Sequence, residues 1–128
     1  MPAGRMSLTL NANLAKRLFD AHRAALRIEA ITDGMDFAGY ESAEVTRLAV
    51  ERLLENVGEA LSVALRIDPE LTTRFPDLRR AVGIRNRIIH AYDDINDVVI
   101  WDIVQLNLPP LIDQLGILLK DAPQGECS

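Results

Sequence analysis

Apolar residues recur at helical spacing along almost the whole chain, and this pattern most constrains the fold. The first segment carries one such stripe, at steps of four and three residues: Leu14, Leu18, Ala21, Ala25 and Ile28. That spacing places the stripe on one face of an α-helix. No stretch alternates apolar and polar residues over a useful length, and no internal repeat is visible. The sequence therefore predicts an all-α, up-and-down bundle of four to five helices.

Caps and breakers divide the first half of the chain. Thr32-Asp33-Gly34 ends the first helix, because Gly34 suits a left-handed cap, and residues 35–41 form a connector. A second long helix runs from about Ser42 to Leu65. Inside it Gly58 costs about 1 kcal/mol relative to alanine, so we expect another backbone to approach closely there. The apolar face of this helix consists of Val50, Leu53, Val57, Leu61 and Ala64.

Prolines and polar caps divide the second half. Residues 67–76 form a loop region, and Asp77 is predicted to cap a third helix that ends near Tyr92. Leu78, Val82 and Ile89 face inward on that helix. Residues 93–96 read as a turn, in which Asp94 or Asn96 caps the next helix.

The last helical segments are separated by two prolines. A fourth helix covers residues 98–108, Pro109-Pro110 kinks or interrupts it, and residues 111–120 complete the pattern. Residues 1–120 are thus predicted to form one helical domain, and residues 121–128 a flexible tail.

Length and composition exclude several classes of protein. A chain of 128 residues buries one core without disulfide staples. The single cysteine, Cys127, excludes an intramolecular disulfide framework and a cysteine-rich zinc site, and it fits a reducing cytoplasm. Neither a signal peptide nor a run of about 18 apolar residues is visible. We therefore expect a cytoplasmic protein with no membrane segment.

The basic residues are unevenly distributed in an acidic chain. The net charge is -5, which is unlike a generic nucleic-acid binder. Arginines nevertheless outnumber lysines 12 to 2, and six of them against three acids lie between Arg66 and His90. Arginine grips phosphate in a bidentate fashion that lysine cannot reproduce. This segment is either a phosphate-binding surface or a solvated face with ion pairs.

The octet of residues 85–92 carries the residues best suited to chemistry. Asn86 and His90 are four residues apart and share a helix face, whereas Arg85 lies about 140° from His90 around the helix. Arg85 and His90 can line one cleft if the helix end loosens, or if a second subunit supplies its own copy. A twofold dimer would bring two arginines and two histidines to one groove.

This set of residues suits cleavage of RNA without a metal or cofactor. The 2′-hydroxyl of RNA is an internal nucleophile already placed beside the phosphate. His90 can exchange protons at neutral pH, and Arg85 can stabilise the charge that develops on phosphorus. Asn86 can bind phosphate or orient His90, and Arg79, Arg80 and Arg87 are candidate RNA contacts.

Structural roles are the alternatives for the same residues. The cationic form of His90 is stabilised by the negative end of the helix dipole. Arg85 is a candidate ion-pair partner for Glu59 or Glu55, and Tyr92 can be a core aromatic. His22 is expected on the surface or in a groove.

The acidic residues near the fourth helix do not have the spacing of a metal site. Asp93, Asp94, Asp97 and Asp102 lack the glycine and terminal glutamate of a calcium loop. No second histidine lies nearby for zinc or iron. We expect caps and solvated loop residues there, and no metal site.

In its motifs the chain resembles the HepT-like toxins of the HEPN superfamily. Arg85-Asn86-x3-His90-x-Tyr92 resembles their R-x4-H-x-Y signature. Residues 49–60, with Gly58-Glu59-Ala60, are similar to the family's second helix, and Val82-Gly83-Ile84 precedes the signature. Ile100-Trp101-Asp102 and residues 108–112 resemble its last helical segment. The resemblance covers roughly Leu18 to Leu115.

The resemblance implies a homodimeric, metal-independent endoribonuclease that acts as a toxin. Arg85 and His90 would be catalytic and Asn86 supporting. Its partner would be an MntA-like nucleotidyltransferase antitoxin that transfers AMP to Tyr92, which places phosphate charge and bulk in the RNA groove. Two other functions stay open: a non-catalytic, nucleotide-binding adaptor of the nucleotidyltransferase, and a purely structural dimerisation bundle.

Overall fold

The computed structural model describes the backbone of residues 3–90 and 96–121, and the side chains of residues 12–88 and 96–120. The described residues form helices and no strand, which confirms the predicted all-α bundle. The helices are α1 (Ala3–Thr32), α2 (Phe37–Ser42), α3 (Glu44–Ile67), α4 (Leu71–Arg74), α5 (Pro76–His90), α6 (Asp97–Asp102) and α7 (Leu108–Asp121), with a π-helical turn at Ile103–Asn107.

Helix α3 lies at the centre of the bundle. It packs against α1 on one side and α5 on the other, while α7 packs against α1 and touches α5. The predicted stripe of α1 is buried throughout, and so is that of α3 except for Leu53. Leu53 is half-buried because it lies at the edge between α1 and α3. On α5, Leu78 is buried and Val82 half-buried, and the side chain of Ile89 lies outside the described residues.

Two predicted caps are confirmed and one is wrong. Gly34 follows α1 with a φ of 78°, and the Asn96 Oδ1 atom accepts a hydrogen bond from the Val99 amide at 2.9 Å. Asp77 does not cap α5, because the helix begins one residue earlier, at Pro76. Proline suits a first helical position because its missing N–H would have no partner there. Asp77 instead accepts hydrogen bonds from two side chains, those of Arg80 and Gln114.

Two segments predicted as loops contain short helices. Residues 35–41 were expected to be a connector, yet α2 forms there because the Asp36 carboxylate accepts a hydrogen bond from the Gly39 amide at 2.8 Å. Residues 67–76 were expected to be a loop, yet α4 occupies part of that range and buries Leu71. Both helices are too short to show an apolar period.

Pro109 and Pro110 were predicted to kink or interrupt the helix where they stand, yet they lie in the first turn of α7, and the α-helix is interrupted before them, at Ile103–Asn107. Proline has no backbone N–H, so the carbonyls of Gln105 and Leu106, four residues earlier, lack their α-helical donors. The chain widens into the π-helical turn just before these prolines and then continues as α7. Asp121 ends α7, and the rest of the predicted tail lies outside the described residues.

None of the described helices is both long enough and apolar enough to cross a membrane.

Candidate active site

Helix α5 carries the octet, and a glycine of α3 sets its position. Gly58 lies directly beneath Arg85: a Cβ atom on Gly58 would collide with the Arg85 Cβ, and it would lie 2.6 Å from the Arg85 Cγ and 3.2 Å from the Ala81 carbonyl oxygen. The expectation that another backbone approaches Gly58 is therefore confirmed. This close approach lays the stem of the Arg85 side chain across α3.

Two neighbouring side chains hold the Arg85 guanidinium. Its Nη2 donates to the Glu59 Oε1 at 2.7 Å, and its Nη1 donates to the Asn86 Oδ1 at 2.9 Å. Its Nε is enclosed and has no acceptor among the described residues. The Arg85 side chain is 27% exposed and that of Glu59 is 57% exposed. Arg85 is thus fixed in direction while one side of it still reaches solvent.

The sequence offered Glu59 and Glu55 as ion-pair partners of Arg85, and the structure shows which of the two it is. Glu59 is the partner, one residue after the glycine on which Arg85 rests, whereas Glu55 pairs with Arg52 at 3.5 Å. The sequence alone favoured neither carboxylate, because both lie on the same helix. The pair is not buried, so its contribution to stability is about 0–1 kcal/mol.

The remaining residues of the octet are only partly within the described chain. His90 is the last residue of α5, and the helix is regular up to it. The side chain of His90 and all of Tyr92 lie outside the described residues. Within the part of α5 that the structure describes, up to His90, the helix is not loosened, and a loosened end was one of the two routes that could join Arg85 and His90.

The other predicted RNA contacts lie on the outside of α5. Arg79, Arg87 and Asn86 are exposed. Arg80 is exposed too, and its Nη1 donates to the Asp77 Oδ1 at 2.6 Å. Asn86 is placed to fix Arg85, while Arg80 is already paired within its own helix.

His22, the chain's other histidine, lies at a different helix contact. It sits where α1 meets α7, and a Cβ atom on Gly116 would lie 3.9 Å from its Nε2. Within the described residues no group of three or more His, Cys, Asp or Glu side chains is close enough to hold a metal ion. Asp93 and Asp94 are outside those residues.

A partly buried polar cluster fixes α6, which begins five residues after Tyr92. The Tyr40 and Trp101 rings are in contact at a tilt of 36°, with their centroids 5.2 Å apart, and Arg47 pairs with Asp97 at 3.3 Å. Burial raises the pKa of the Tyr40 phenol above its usual range, and the nearby carboxylates of Glu51 and Asp97 raise it further. Burial is also the largest cause that raises the pKa of Glu51, followed by Asp97. The Tyr40 phenol is therefore protonated and acts as a core group, a role that the sequence did not indicate.

Comparison with known proteins identifies similar chains. Residues 21–117 match a protein-family model described as "Ribonuclease HepT-like". A protein of Methanocaldococcus jannaschii named "Putative RNase" is 29% identical over 103 residues, which cover 79% of this chain and 92% of the relative. Another protein of that name and organism is 30% identical over 111 residues, covering 85% and 88%.

A third relative carries the family's name. The "Probable ribonuclease HepT" of Thermococcus cleftensis is 30% identical over 105 residues, which cover 80% of this chain and 93% of that protein. No solved structure gives a significant match. The residues matched by the family model include all of α3, all of α5 and the octet that ends in Tyr92.

Proposed function

This chain belongs to the Ribonuclease HepT-like family, and we propose that it is a metal-independent endoribonuclease toxin held in check by an MntA-like nucleotidyltransferase antitoxin. The observation that carries the proposal is the placement of Arg85. Its guanidinium is held by Glu59 and Asn86 on a regular helix whose last residue is His90. Phosphodiester cleavage in RNA requires a cation in a fixed direction and a proton acceptor in the same groove, and His90 of a facing copy can supply the acceptor.

The proposed reaction is an internal transfer at phosphorus. His90 takes the proton of the 2′-hydroxyl, and the 2′-oxygen forms a bond to the phosphorus while the bond from phosphorus to the 5′-oxygen breaks. The protonated His90 imidazole returns this proton to the leaving 5′-oxygen, and Arg85 stabilises the negative charge on the phosphoryl oxygens. The products are a 2′,3′-cyclic phosphate and a 5′-hydroxyl end.

A homodimer is part of this proposal. Because α5 stays helical up to His90, the positions of Arg85 and His90 remain about 140° apart around the axis. A second copy that faces the first supplies its own Arg85 and His90 to one groove, as twofold symmetry requires. We expect sedimentation or light scattering to give the mass of two chains.

Cleavage of RNA by the purified chain tests the function directly. We expect single-stranded RNA to be cut with an excess of EDTA at the same rate as without it, because the proposed chemistry uses only side chains. The new 5′ ends should be hydroxyls, which polynucleotide kinase labels without prior phosphatase treatment. Products with 5′-phosphates, or activity that EDTA removes and a divalent cation restores, would contradict the proposed mechanism.

Glu59→Ala is expected to lower kcat for RNA cleavage by about 10- to 100-fold. Its carboxylate fixes the direction of the Arg85 guanidinium, and a misplacement of about 1 Å can cost up to about 100-fold in rate. The free energy of unfolding should change by less than about 1 kcal/mol, because the pair is partly exposed. KM should not rise, since the substitution removes a negative charge from an RNA-binding surface.

Glu55→Ala is the matched control for this substitution. It removes the same side chain one helical turn earlier on α3, where the partner is Arg52. We expect its kcat to stay within twofold of the parent. Equal losses in the two variants would mean that Glu59 does not act through Arg85.

Tyr92 is the proposed site of inactivation. Co-expression with the nucleotidyltransferase should raise the intact mass by the mass of one or more AMP groups and stop RNA cleavage, because phosphate charge and bulk then lie two residues after His90. Tyr92→Phe should keep the unmodified mass and the activity. A Tyr92→Phe chain that gains the same mass would place the modification on another residue.

A second candidate is the non-catalytic, nucleotide-binding adaptor of the nucleotidyltransferase. It is favoured by the engagement of Arg85 with Glu59 and Asn86, since a guanidinium so held can serve phosphate binding alone. Under this alternative RNA stays intact, and nucleotide binding is lost in Arg85→Ala.

A further inference from the structure

A groove of about 500 Å³ runs between α1 and α3, on the face of α3 that leads to Glu59. We call it the α1 arginine groove, because three arginines of α1 line it: Arg17, Arg23 and Arg27. The opposite wall is formed by α3, with Leu53, Asn56 and Glu59 among its residues. Glu59 thus belongs both to the groove and to the pair that holds Arg85.

Among the described side chains, the carboxylates of the groove pair with cations other than its three arginines. Of the two carboxylates that line it, Asp20 pairs with Lys16 at 3.1 Å and Glu59 pairs with Arg85 at 2.7 Å. The three groove arginines form no ion pair with any residue whose side chain is described. The lining therefore holds three arginines, and both of its carboxylates are paired with cations outside it, in a chain whose net charge is -5.

Two features of the arginines point to an anionic ligand. Arg23 and Arg27 are four residues apart on one helix face, where like charges repel and destabilise a helix by about 0.2–0.5 kcal/mol. The Nε of Arg17 is enclosed and has no acceptor among the described residues. An anion with oxygens spread along the groove would relieve the repulsion and supply acceptors.

The length of the groove indicates a polyanion. At 1.5 Å per residue, Arg17 and Arg27 are about 15 Å apart along the helix axis. Arg85 on α5 is a further cation beyond the α3 wall of the groove, where it pairs with Glu59. A single phosphate would occupy only one of these positions, whereas an extended strand reaches all of them.

We propose that the α1 arginine groove binds the sugar-phosphate backbone of single-stranded RNA next to the linkage that is cut at Arg85. This inference rests on the proposed ribonuclease function. It moves the main RNA-binding surface from the basic segment of residues 66–90 to α1. It also explains how an acidic protein holds RNA, because screening limits the repulsion from the rest of the chain to about 8 Å at physiological salt.

The test compares two double substitutions that remove the same charge. Arg23→Ala with Arg27→Ala removes two of the three groove arginines, and Arg66→Ala with Arg74→Ala removes two exposed arginines of α3 and α4 outside it. The probe is a fluorescein-labelled single-stranded RNA of mixed sequence, with binding followed by anisotropy from low to physiological salt. Both variants are measured in the His90→Ala chain, so that the probe stays intact.

We expect the groove variant to raise Kd at least tenfold at low salt and the control to stay within twofold. The slope of log K against log salt should become shallower by about 0.7 for each phosphate that is no longer neutralised, and so by about 1.4 for two arginines. Equal weakening by both doubles, or an unchanged Kd for the groove variant, would overturn the inference. A groove variant that instead changes the oligomeric state would show that the groove is a subunit interface, which also overturns it.

Cleavage of a dinucleotide separates this inference from the ribonuclease function. A dinucleotide has one phosphodiester, which in this proposal occupies Arg85 alone, so with His90 restored the groove variant should cut it at the parental kcat/KM while losing at least tenfold on long RNA. If the parent chain cuts neither substrate, the ribonuclease function fails. The anisotropy comparison then still shows whether the groove binds RNA. If the groove variant cuts both substrates like the parent, the groove inference fails and the function stands.

Discussion

His90→Ala is expected to slow RNA cleavage by about 100- to 10,000-fold, the range in which a positioned acid or base contributes. His90 ends α5, five residues after the fixed guanidinium of Arg85. An imidazole titrates near neutral pH, so it can both take and return a proton there. The measurement is kcat on a defined RNA, with circular dichroism and thermal unfolding to establish that the fold is kept. Expression of this variant alone should no longer stop growth.

If His90 only stabilised the helix dipole, His90→Lys would keep both the stability and the activity of the parent. A cation in the last turn is worth about 0.3–1 kcal/mol, and lysine supplies it as well as protonated histidine does. His90→Lys should therefore keep the stability of the parent and lose the activity, because lysine is not a neutral base at pH 7. His22→Ala, at the contact of α1 with α7, serves as the control and should retain full activity. Parental rates in His90→Ala would refute the catalytic assignment.

The sequence predicted those parts of the fold that depend on local chemistry. The stripe of α1 and the glycine at its end follow from the spacing of apolar residues and from the ease with which Gly34 adopts positive φ. Asn96 was one of two predicted caps, and the structure selects it. Helices α2 and α4 were missed because four to six residues cannot show a 3.6-residue period. Asp77 was misplaced because Pro76 already begins the helix.

The parts of the site that the sequence did not predict depend on contacts between helices. Gly58 pointed to a close approach, but the sequence did not show that Arg85 is what approaches it. Glu59 and Glu55 were equal candidates, because helical spacing alone does not say which turn of α3 faces α5. The groove arginines were missed because the density of arginines along the sequence is highest elsewhere. Arg17, Arg23 and Arg27 are spread over three turns of α1 and come together only as one wall of a groove.

Gly58→Ala is expected to lower the free energy of unfolding by about 1–3 kcal/mol, as overpacking of a tight contact does. The new methyl group would meet the Cβ and Cγ of Arg85 and the carbonyl of Ala81. These atoms belong to the stem of a side chain and to the backbone, so a change of rotamer cannot relieve the contact and α5 must move. That movement displaces the Arg85 guanidinium from Glu59, so kcat for RNA should fall as well. Urea unfolding and the cleavage assay measure the two effects.

Gly83→Ala is the control for Gly58→Ala, because it is expected to change the free energy of unfolding in the opposite direction. Gly83 is exposed on α5, and a Cβ atom there would meet nothing within 4 Å. Alanine is favoured over glycine by about 1 kcal/mol inside a helix, so this variant should be more stable than the parent. Both substitutions add the same methyl group to a helix interior, and only the crossing of α3 and α5 distinguishes them. Stabilisation by both would mean that the helices do not meet at Gly58, and the fixed position of Arg85 would lose its structural basis.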